Sequence, residues 1–556
     1  MYARGRVSVM RRAICGVGRV LMVLLMLGVC GGSGADAQGT QPSCEGVQKM
    51  ALEGARIVSA ERVGAGEFVP PRGGTPGLSG DERLAKKLPA FCRVKVLATP
   101  SADSVINVEV WLPENGWNGR FRGQGNGGFA GEIPYRSLED ALSQGYATAS
   151  TDTGHSGSPI DAKWALGHPE KVTDFGYRAI HEMTRIAKAV IASYYGSQPK
   201  YSYFAGCSNG GRQALMEAQR FPEDYDGILA GAPANYWSRL LTNAIANLQA
   251  QTAEDGSHIP GSKLPAVAKA VNEACDAKDG VADGVVNDPR ACKFDPAVMQ
   301  CKSGDSGECL TAKQVSTLKA LYAGGHDGKG RVIFPGYVPG AEDGRGGWAL
   351  WITGGTGVEQ SLMYAFGNGF FANMVYEKAD WDYKKVTPGE ALGAAKTKTG
   401  KVLDAGDADL ARFKARGGKL IIYHGWNDPA ISALGAVEYY ESVAKKMSKP
   451  TAEAFTRLYL VPGMQHCGGG PGASSFGALG GGSTDASGNI RLSLEQWVEK
   501  GTAPGALVAA KYVNEEEEAG GVKMTRPLCA YPEVAKYKGS GDTNDATNFV
   551  CAAASK

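Results

Sequence analysis

Residues 201–220 read YSYFAGCSNGGRQALMEAQR, and they give the strongest indication of the fold. It opens with the aromatic and small residues of a β-strand and ends with the apolar spacing of a helix. Between the two, Gly206-Cys207-Ser208-Asn209-Gly210 fits the pattern G-x-S-x-G of a nucleophile elbow, a sharp strand-to-helix turn that exposes the serine hydroxyl. The alternative is a glycine-rich loop whose serine has no chemical role, but the flanking strand and helix favour the elbow.

The sequence around this stretch alternates between strand and helix patterns. We expect strands at residues 105–112, 145–150, 201–205, 227–230, 419–423 and 457–461, and helices at residues 175–195 and 210–220. Strands that alternate with helices predict a mostly parallel sheet. Together with the elbow, this pattern predicts an α/β-hydrolase fold.

The alternation stops between residues 236 and 395, where helical segments, glycine-rich turns and four cysteines occur instead. We therefore predict one sheet domain that is interrupted by an inserted domain. The expected order is a signal peptide at residues 1–37, a first part of the sheet domain at 38–235, the insertion at 236–395 and a second part of the sheet domain at 396–556.

The first 37 residues have the pattern of an export signal. Four arginines lie between residues 4 and 12, an apolar run follows at residues 20–29, and Ala35-Asp36-Ala37 fits a cleavage site. A weak lipoprotein motif at Leu27-Gly28-Val29-Cys30 is disfavoured because valine is too large for its position. No later stretch reaches ~18 apolar residues. We therefore expect no membrane segment after cleavage and a secreted or periplasmic protein.

Composition excludes some classes of function. The 556 residues are 43% hydrophobic and 21% charged, which is typical of a globular protein. The net charge is only +2, and acidic and basic residues are mixed along the chain, so there is no basic stripe that would bind nucleic acid. Composition does not decide the oligomeric state.

A nucleophilic serine needs a histidine base and an acid that orients this base, in the chain order Ser, Asp, His for this fold. His466 follows the last predicted strand, and Asp428 follows the strand before it. These positions predict the catalytic triad Ser208, Asp428 and His466. His424 lies directly after a strand and is the main rival for either role, whereas the other downstream histidines lie in the insertion.

The cysteines support this triad independently. Removal of the signal peptide leaves ten of the twelve cysteines, and the absence of any C-x-x-C pair favours disulfides over a zinc cluster. Cys207 precedes Ser208, and Cys467 follows His466. Because a disulfide holds two Cα atoms about 5.5–6 Å apart, a Cys207–Cys467 bridge would bring the nucleophile and its base together.

The combination of Cys207-Ser208, Asp428 and His466-Cys467 resembles the CS-D-HC motif of the tannase and feruloyl esterase family, which also contains a mono(hydroxyethyl) terephthalate hydrolase. The resemblance covers nearly all of the mature chain. Further matches are GNGG at residues 125–128, GAP at 231–233 and RPLCAYP at 526–532. The resemblance implies that the insertion is a lid over the active site. It also implies that the substrates are small aromatic esters of phenolic acids such as ferulate or gallate.

The resemblance further implies a disulfide pattern. The expected pairs are Cys44–Cys92, Cys207–Cys467, Cys275–Cys292, Cys301–Cys309 and Cys529–Cys551. The three middle pairs also have support from their sequence context. The first and last pairs rest on the family and on the cysteines that are left over.

An Asp/Gly-rich loop in the insertion suggests a bound cation. Residues 275–285 read CDAKDGVADGV, and three carboxylates within eight residues suit a hard cation with six to eight oxygen ligands. The spacing is not that of an EF-hand, and the alternative is a turn cluster without metal. The family places structural Ca²⁺ here. The match implies as ligands the carboxylates of Asp276, Asp279 and Asp283 and the carbonyls of Val281 and Val285.

The oxyanion hole and the pocket complete the predicted site. The hole is expected to use the backbone N–H of Asn209 and that of Gly127 or Gly128, because glycine permits a close approach of the backbone. Residues 346–411 contain no arginine, which predicts that neutral methyl ferulate or methyl gallate is hydrolysed faster than a terephthalate monoester. The aromatic residues expected in the pocket or in the lid core are Trp348, Trp351, Tyr364, Phe366, Phe370 and Phe371.

These residues predict a secreted serine carboxylesterase that hydrolyses phenolic-acid esters through an acyl-enzyme. The alternatives are a terephthalate-type aromatic monoester hydrolase, a peptidase or lipase, and a non-catalytic calcium-stabilised binding protein on the same fold. No long apolar lid helix supports a lipase, and a complete Ser/Asp/His set disfavours the binding protein.

Overall fold

The structure is a computed structural model of the chain, and it describes residues 43–71, 79–340, 342–514 and 519–554. The predicted signal peptide at residues 1–37 lies outside the described residues. Within them, no helix is both long enough and apolar enough to cross a membrane.

The strands are β1 (Ala55–Val63), β2 (Phe91–Ala98), β3 (Ile106–Pro113), β4 (Arg120–Gln124), β5 (Ala147–Thr151), β6 (Tyr201–Cys207), β7 (Gly227–Gly231), β8 (Lys419–Gly425), β9 (Thr456–Val461), β10 (Leu507–Asn514), β11 (Ala519–Leu528), β12 (Glu533–Tyr537) and β13 (Phe549–Ala553). The α-helices are α1 (Cys44–Gln48), α2 (Glu82–Ala85), α3 (Tyr135–Ser143), α4 (Pro169–Thr173), α5 (Ala179–Tyr195), α6 (Asn209–Arg220), α7 (Trp237–Gln251), α8 (Leu264–Cys275), α9 (Ala312–Ala323), α10 (Leu362–Phe370), α11 (Pro388–Ala395), α12 (Lys401–Leu403), α13 (Ala411–Ala415), α14 (Leu434–Met447), α15 (Lys449–Glu453) and α16 (Ile490–Lys500). Short π-helical turns lie at Asp174–Arg178, Ala349–Thr353, Phe371–Val375 and Lys396–Gly400.

Nine strands form one mixed sheet in the order β1-β2-β3-β5-β4-β6-β7-β8-β9. The pairs from β1 to β5 are antiparallel, and the pairs from β5 through β4 to β9 are parallel. The central parallel strands are buried on both faces, as all five residues of β7 illustrate. Apolar side chains of α5, α6 and α14 pack against the sheet in one core. This architecture agrees with the predicted α/β-hydrolase fold.

The six predicted strands are all present, and their ends differ from the prediction by at most two residues. The predicted helix at residues 175–195 is divided into the π-helical turn Asp174–Arg178 and α5. The other three strands of the sheet, β1, β2 and β4, were not predicted, and neither were β10 to β13. β2 and β4 lie directly beside predicted strands in the sheet.

Between β7 and β8 the described residues form helices and turns and add no strand to the sheet. Their apolar side chains make a second core, in which Trp237 of α7 and Phe370 of α10 pack with Phe129 and Phe175 from the preceding part of the chain. The segment therefore folds as a helical layer around its own apolar centre. The boundaries predicted for the insertion, 236 and 395, stay a prediction.

Two ribbons, β10–β11 and β12–β13, end the chain. Leu507 and Leu528 of the first ribbon pack with Tyr459 of β9. Phe549 of the second ribbon packs with Val281, which lies in the Asp/Gly-rich loop of the insertion. The C-terminal ribbons therefore contact both the sheet and the insertion.

Candidate active site

The predicted elbow lies where β6 ends and α6 begins. Ser208 has φ 89° and ψ −110°, a conformation that a non-glycine residue adopts only where the surrounding structure enforces it. The enforcing feature is the close packing of α6 on β6. A Cβ on Gly206 would lie 2.7 Å from the carbonyl carbon of Gly210. Glycine at position 206 therefore allows the sharp turn that presents the Ser208 hydroxyl.

The three predicted triad residues meet at this elbow. His466 Nε2 lies 2.9 Å from Ser208 Oγ, and His466 Nδ1 lies 2.8 Å from Asp428 Oδ2. Because a carboxylate only accepts hydrogen bonds, Nδ1 carries the proton that is donated to Asp428, and Nε2 can accept the proton of Ser208. The geometry suits a serine nucleophile with its base.

Asp428 is buried and surrounded by donors. Its Oδ1 accepts the backbone N–H of Ala430 at 2.8 Å and that of Ile431 at 3.0 Å. Burial opposes ionisation, but the charge of His466 and hydrogen bonds from His424 and His466 hold the pKa of Asp428 well below its usual range. Asp428 is therefore a fixed negative charge beside His466 at neutral pH.

His424 occupies a position that the sequence did not predict. Its ring is fully buried, and its Nε2 lies 3.0 Å from Asp428 Oδ2 and 3.0 Å from the carbonyl oxygen of Ile431. One carboxylate oxygen therefore receives hydrogen bonds from two histidines. Between the two rivals for the base, the structure places His466 on Ser208 and His424 behind Asp428. The sequence signal was the position of His424 at the end of a strand, four residues before Asp428.

The predicted disulfide between Cys207 and Cys467 is present, and its two Cα atoms are 6.0 Å apart. Cys467, like Ser208, has a positive φ, of 64°. The bridge therefore joins the two segments of unusual backbone that carry Ser208 and His466. The other predicted pairs are also present: Cys44–Cys92, Cys275–Cys292, Cys301–Cys309 and Cys529–Cys551.

The residues predicted for the oxyanion hole line the same cavity as Ser208. Asn209 is the first residue of α6, so its N–H has no acceptor within the helix. Gly128 has φ +52° and packs so closely on Pro159 that a Cβ would lie 2.2 Å from the carbonyl oxygen, whereas Gly127 has open space. The N–H groups of Asn209, Gly127 and Gly128 are all free of an acceptor among the described residues.

A buried arginine, which the sequence did not single out, holds Asn209 in place. Arg212 donates from Nε and Nη2 to Asn209 Oδ1, at 2.9 and 2.7 Å. It also donates to the carbonyl oxygens of Phe175 and Gly176, at 2.9 and 2.8 Å. These bonds fix the first turn of α6 against the π-helical turn Asp174–Arg178.

Ser208 and His466 open into a cavity of about 620 Å³. Trp351 touches the His466 ring, with the ring centroids 4.8 Å apart, and stacks on Phe366. One wall of the cavity is formed by the segment of the chain that connects β7 to β8, and below it is called the wall between β7 and β8. This wall is uncharged and mostly apolar, and its residues are Ala234, Trp237, Leu240, Leu241, Ala244, Tyr337, Trp351, Leu362, Met363 and Phe366.

Of the aromatic residues that were predicted to lie in the pocket or in the lid core, some line the cavity and the others belong to the second core. Trp351 and Phe366 line the cavity. Trp348, Phe370 and Phe371 are buried in the second core, and Tyr364 packs against it.

A different wall of the cavity is cationic and comes from the sheet domain. Arg122 on β4, Arg136 on α3 and Arg491 on α16 line it, together with Asp140 on α3. The absence of arginine from residues 346–411 therefore does not leave the pocket without cations. The prediction was based on residues 346–411, whereas these arginines lie on β4, α3 and α16, outside that segment.

The loop predicted to bind calcium lies against the C-terminal ribbon. Its three aspartates accept hydrogen bonds from backbone N–H groups of the same loop, and Asp283 also pairs with Arg526. Burial, together with the charges of Asp283 and Asp276, raises the pKa of Asp279 to about 6. The three carboxylates do not form a group whose ligand oxygens all lie within 4.8 Å of one another. The carboxylates of the three aspartates repel each other, and each of them accepts hydrogen bonds from backbone N–H groups.

Comparison with known proteins gives consistent matches over most of the chain. The profile of the tannase and feruloyl esterase family matches residues 92–552. An uncharacterized esterase of Xanthomonas campestris pv. campestris is 43% identical over 92% of this chain and 91% of that protein. A mono(2-hydroxyethyl) terephthalate hydrolase of Piscinibacter sakaiensis is 34% identical over 79% of this chain and 80% of that protein. The crystal structure of feruloyl esterase B from Aspergillus oryzae has a TM-score of 0.82 at 28% identity, over 92% of this chain and 100% of that chain.

Proposed function

Because the chain belongs to the tannase and feruloyl esterase family and is a carboxylic ester hydrolase, we propose that it works through an acyl-enzyme on Ser208. His466 is the base in this proposal, and Asp428 is the acid that orients it. The observation that carries the proposal is the 2.9 Å separation between His466 Nε2 and Ser208 Oγ, with Asp428 on the other ring nitrogen.

The reaction has two steps. Ser208 Oγ attacks the ester carbonyl carbon while His466 takes the serine proton, and Asp428 stabilises the imidazolium that forms. The oxyanion accepts hydrogen bonds from the N–H of Asn209 and from a glycine N–H of residues 127–128. His466 then gives its proton to the leaving alcohol, and the acyl group stays on Ser208. A water molecule, deprotonated by His466, releases the acid and restores the serine.

The insertion is proposed to act as a lid that holds a neutral aromatic acyl group, such as ferulate or gallate. The wall between β7 and β8 is uncharged, and Trp351 beside His466 offers a ring face for stacking. A terephthalate acyl group would place its carboxylate against this wall without a counter-charge, which costs free energy. The terephthalate hydrolase among the relatives keeps terephthalate monoesters as the second candidate substrate class.

The test compares methyl ferulate, methyl gallate and mono(2-hydroxyethyl) terephthalate as substrates for the purified protein and for its Ser208→Ala variant. We expect a much higher kcat/KM for the ferulate or gallate ester than for the terephthalate monoester. Ser208→Ala should lower the rate on the order of 10⁶-fold at an unchanged melting temperature. Activity of the variant within tenfold of wild type would exclude Ser208, and a preference for the terephthalate ester would establish the second candidate.

The Asp/Gly-rich loop is proposed to bind Ca²⁺ in a structural role. Its donor set fits a hard cation, because the carboxylates of Asp276, Asp279 and Asp283 and the carbonyls of Val281 and Val285 are all oxygen ligands. The raised pKa of Asp279 reflects burial and repulsion among the carboxylates, which a divalent cation would relieve. Binding requires the carboxylates to turn from the backbone N–H groups towards the ion.

The protein is also proposed to be exported. Five disulfides suit an oxidising compartment, and residues 1–37 carry the sequence pattern of a signal peptide. The expected N-terminus of the exported protein is residue 38, which N-terminal sequencing of the native protein checks. An N-terminus at Met1 would contradict the proposal.

A further inference from the structure

The cationic wall of the cavity holds more positive than negative charge. Arg122 and Arg491 both donate to Oδ2 of Asp140, so that two buried guanidinium groups share one carboxylate. Arg122 is 3% exposed and Arg491 is 7% exposed. Arg136 is exposed at the same wall and adds a third positive charge.

The two buried arginines also have unused donors. Arg122 Nε and Nη1 and Arg491 Nε are buried and have no hydrogen-bond partner among the described residues. Such unpaired donors carry a desolvation cost, so the cluster lacks an acceptor. The nearby Glu495 does not supply it, because its carboxylate is used by Arg120 and by the Tyr146 hydroxyl.

We propose that this wall is a carboxylate-binding subsite in which Arg122 and Arg491 bind an anionic group on the alcohol part of the ester. The inference rests on the proposed function, because it names a substrate feature of the same cavity. A guanidinium group presents a planar fork of donors that matches a carboxylate, and both arginines are among the residues that line the cavity.

The position of Arg122 along the sheet assigns the carboxylate to the alcohol. Arg122 lies opposite Tyr203 in the parallel pair β4–β6, and Ser208 lies five residues beyond Tyr203. The four residues from Tyr203 to the strand end at Cys207 correspond to about 13 Å along the strand, at ~3.3 Å per residue. The arginine side chain spans only part of this distance, whereas a carboxylate on the acyl ring stays within one ring of the ester carbon. This distance fits an alcohol that carries its carboxylate on a long linker, such as an acidic saccharide or a long hydroxy acid.

The experiment uses feruloyl esters of unbranched ω-hydroxyalkanoic acids of increasing chain length, each with the free carboxylate and with the carboxamide in its place. The measured quantity is the ratio of kcat/KM for the two forms at each length. Wild type, Arg122→Gln, Arg491→Gln and the matched control Arg120→Gln are compared. Arg120 lies on the same strand, pairs with Glu499 and does not line the cavity.

Wild type is expected to prefer the carboxylate by about tenfold or more at long linkers, mainly through KM, and to lose this preference at short linkers. Arg122→Gln and Arg491→Gln should bring the ratio close to one, and Arg120→Gln should keep it. The length dependence in wild type needs no variant, so misfolding of a variant cannot hide the result.

A ratio near one at every length, in wild type that hydrolyses methyl ferulate, would overturn the subsite and leave the proposed function standing. A preference that survives both Arg122→Gln and Arg491→Gln would overturn the assignment to these arginines. If wild type hydrolyses no aromatic ester, the proposed function and the inference fall together.

Discussion

Removal of the Cys207–Cys467 disulfide, by Cys207→Ala together with Cys467→Ala, is expected to lower both stability and activity. The bridge closes a sequence separation of 260 residues. In the chain-entropy model, a loop of this length raises the free energy of unfolding by about 5.6 kcal/mol at 25 °C, slightly above the usual range of about 0–5 kcal/mol. The loss of activity has a separate cause, because the bridge holds the segments that carry Ser208 and His466.

A second disulfide provides the matched control. Cys301 and Cys309 are separated by only 8 residues, for which the same model gives about 2.5 kcal/mol. The two double variants should therefore differ by about 3 kcal/mol in the free energy of unfolding. Displacement of a catalytic group by about 1 Å can cost on the order of 10²-fold in rate. We expect kcat to fall between about tenfold and 100-fold without the Cys207–Cys467 bridge and to stay within about twofold without the Cys301–Cys309 bridge.

The assay combines urea unfolding, followed by tryptophan fluorescence, with steady-state kinetics on methyl ferulate for both double variants. Equal losses of stability in the two variants would refute the loop-length argument. Full kcat in the variant that lacks the Cys207–Cys467 bridge would refute the positioning argument. The two readouts are independent, so either argument can fail alone.

Three further outcomes are expected. His424→Phe keeps a ring but removes a donor from Asp428, and it should lower kcat about tenfold with a shift of the kcat–pH profile; a loss of melting temperature with an unchanged profile would reduce His424 to a packing role. Excess EDTA should lower the melting temperature of calcium-loaded protein, because it removes a ligand that binds only the native state, and an unchanged value would count against the Asp/Gly-rich loop. Burial raises the pKa of Asp152 to about 7, so its contribution to stability is full below its unfolded pKa of ~3.9 and is lost as pH rises through 7. Asp152→Asn should therefore flatten the decline of stability between pH 4 and pH 8, measured by urea unfolding, whereas the same slope in the variant would show that another group titrates.

The fold was predictable where local patterns match the final environment. β7 consists of buried apolar and small residues, and β6 and β8 are rich in aromatic, apolar and small residues, so their patterns alone indicate strands. β4 reads RFRGQ, and its arginines and glutamine disfavour a buried strand by local criteria. Tertiary pairing overrides these criteria, because Arg120 binds Glu499, which lies 379 residues away in sequence. A short stretch of sequence around β4 does not reveal this distant partner.

The meeting of Ser208, Asp428 and His466 was predictable because each of them follows a strand, in an order that the fold fixes. The flanking cysteines added a constraint between two distant positions. The contact of His424 with Asp428 was not predictable in the same way. It depends on which oxygen of the carboxylate faces the strand end, and this orientation is set by the N–H groups of Ala430 and Ile431.

The charge of the cavity could not be predicted from the sequence of the insertion alone. The wall between β7 and β8 is uncharged, as the absence of arginine from residues 346–411 suggested. The positive charge of the cavity comes instead from arginines on β4, α3 and α16. A substrate that is neutral at both ends satisfies the first wall but leaves the unused donors of Arg122 and Arg491 without an acceptor. In the proposed subsite such a substrate forms no ion pair with the two arginines, whereas an ester with a distal carboxylate does. Simple methyl esters should therefore have a higher KM than esters with a distal carboxylate, even when their acyl groups are identical.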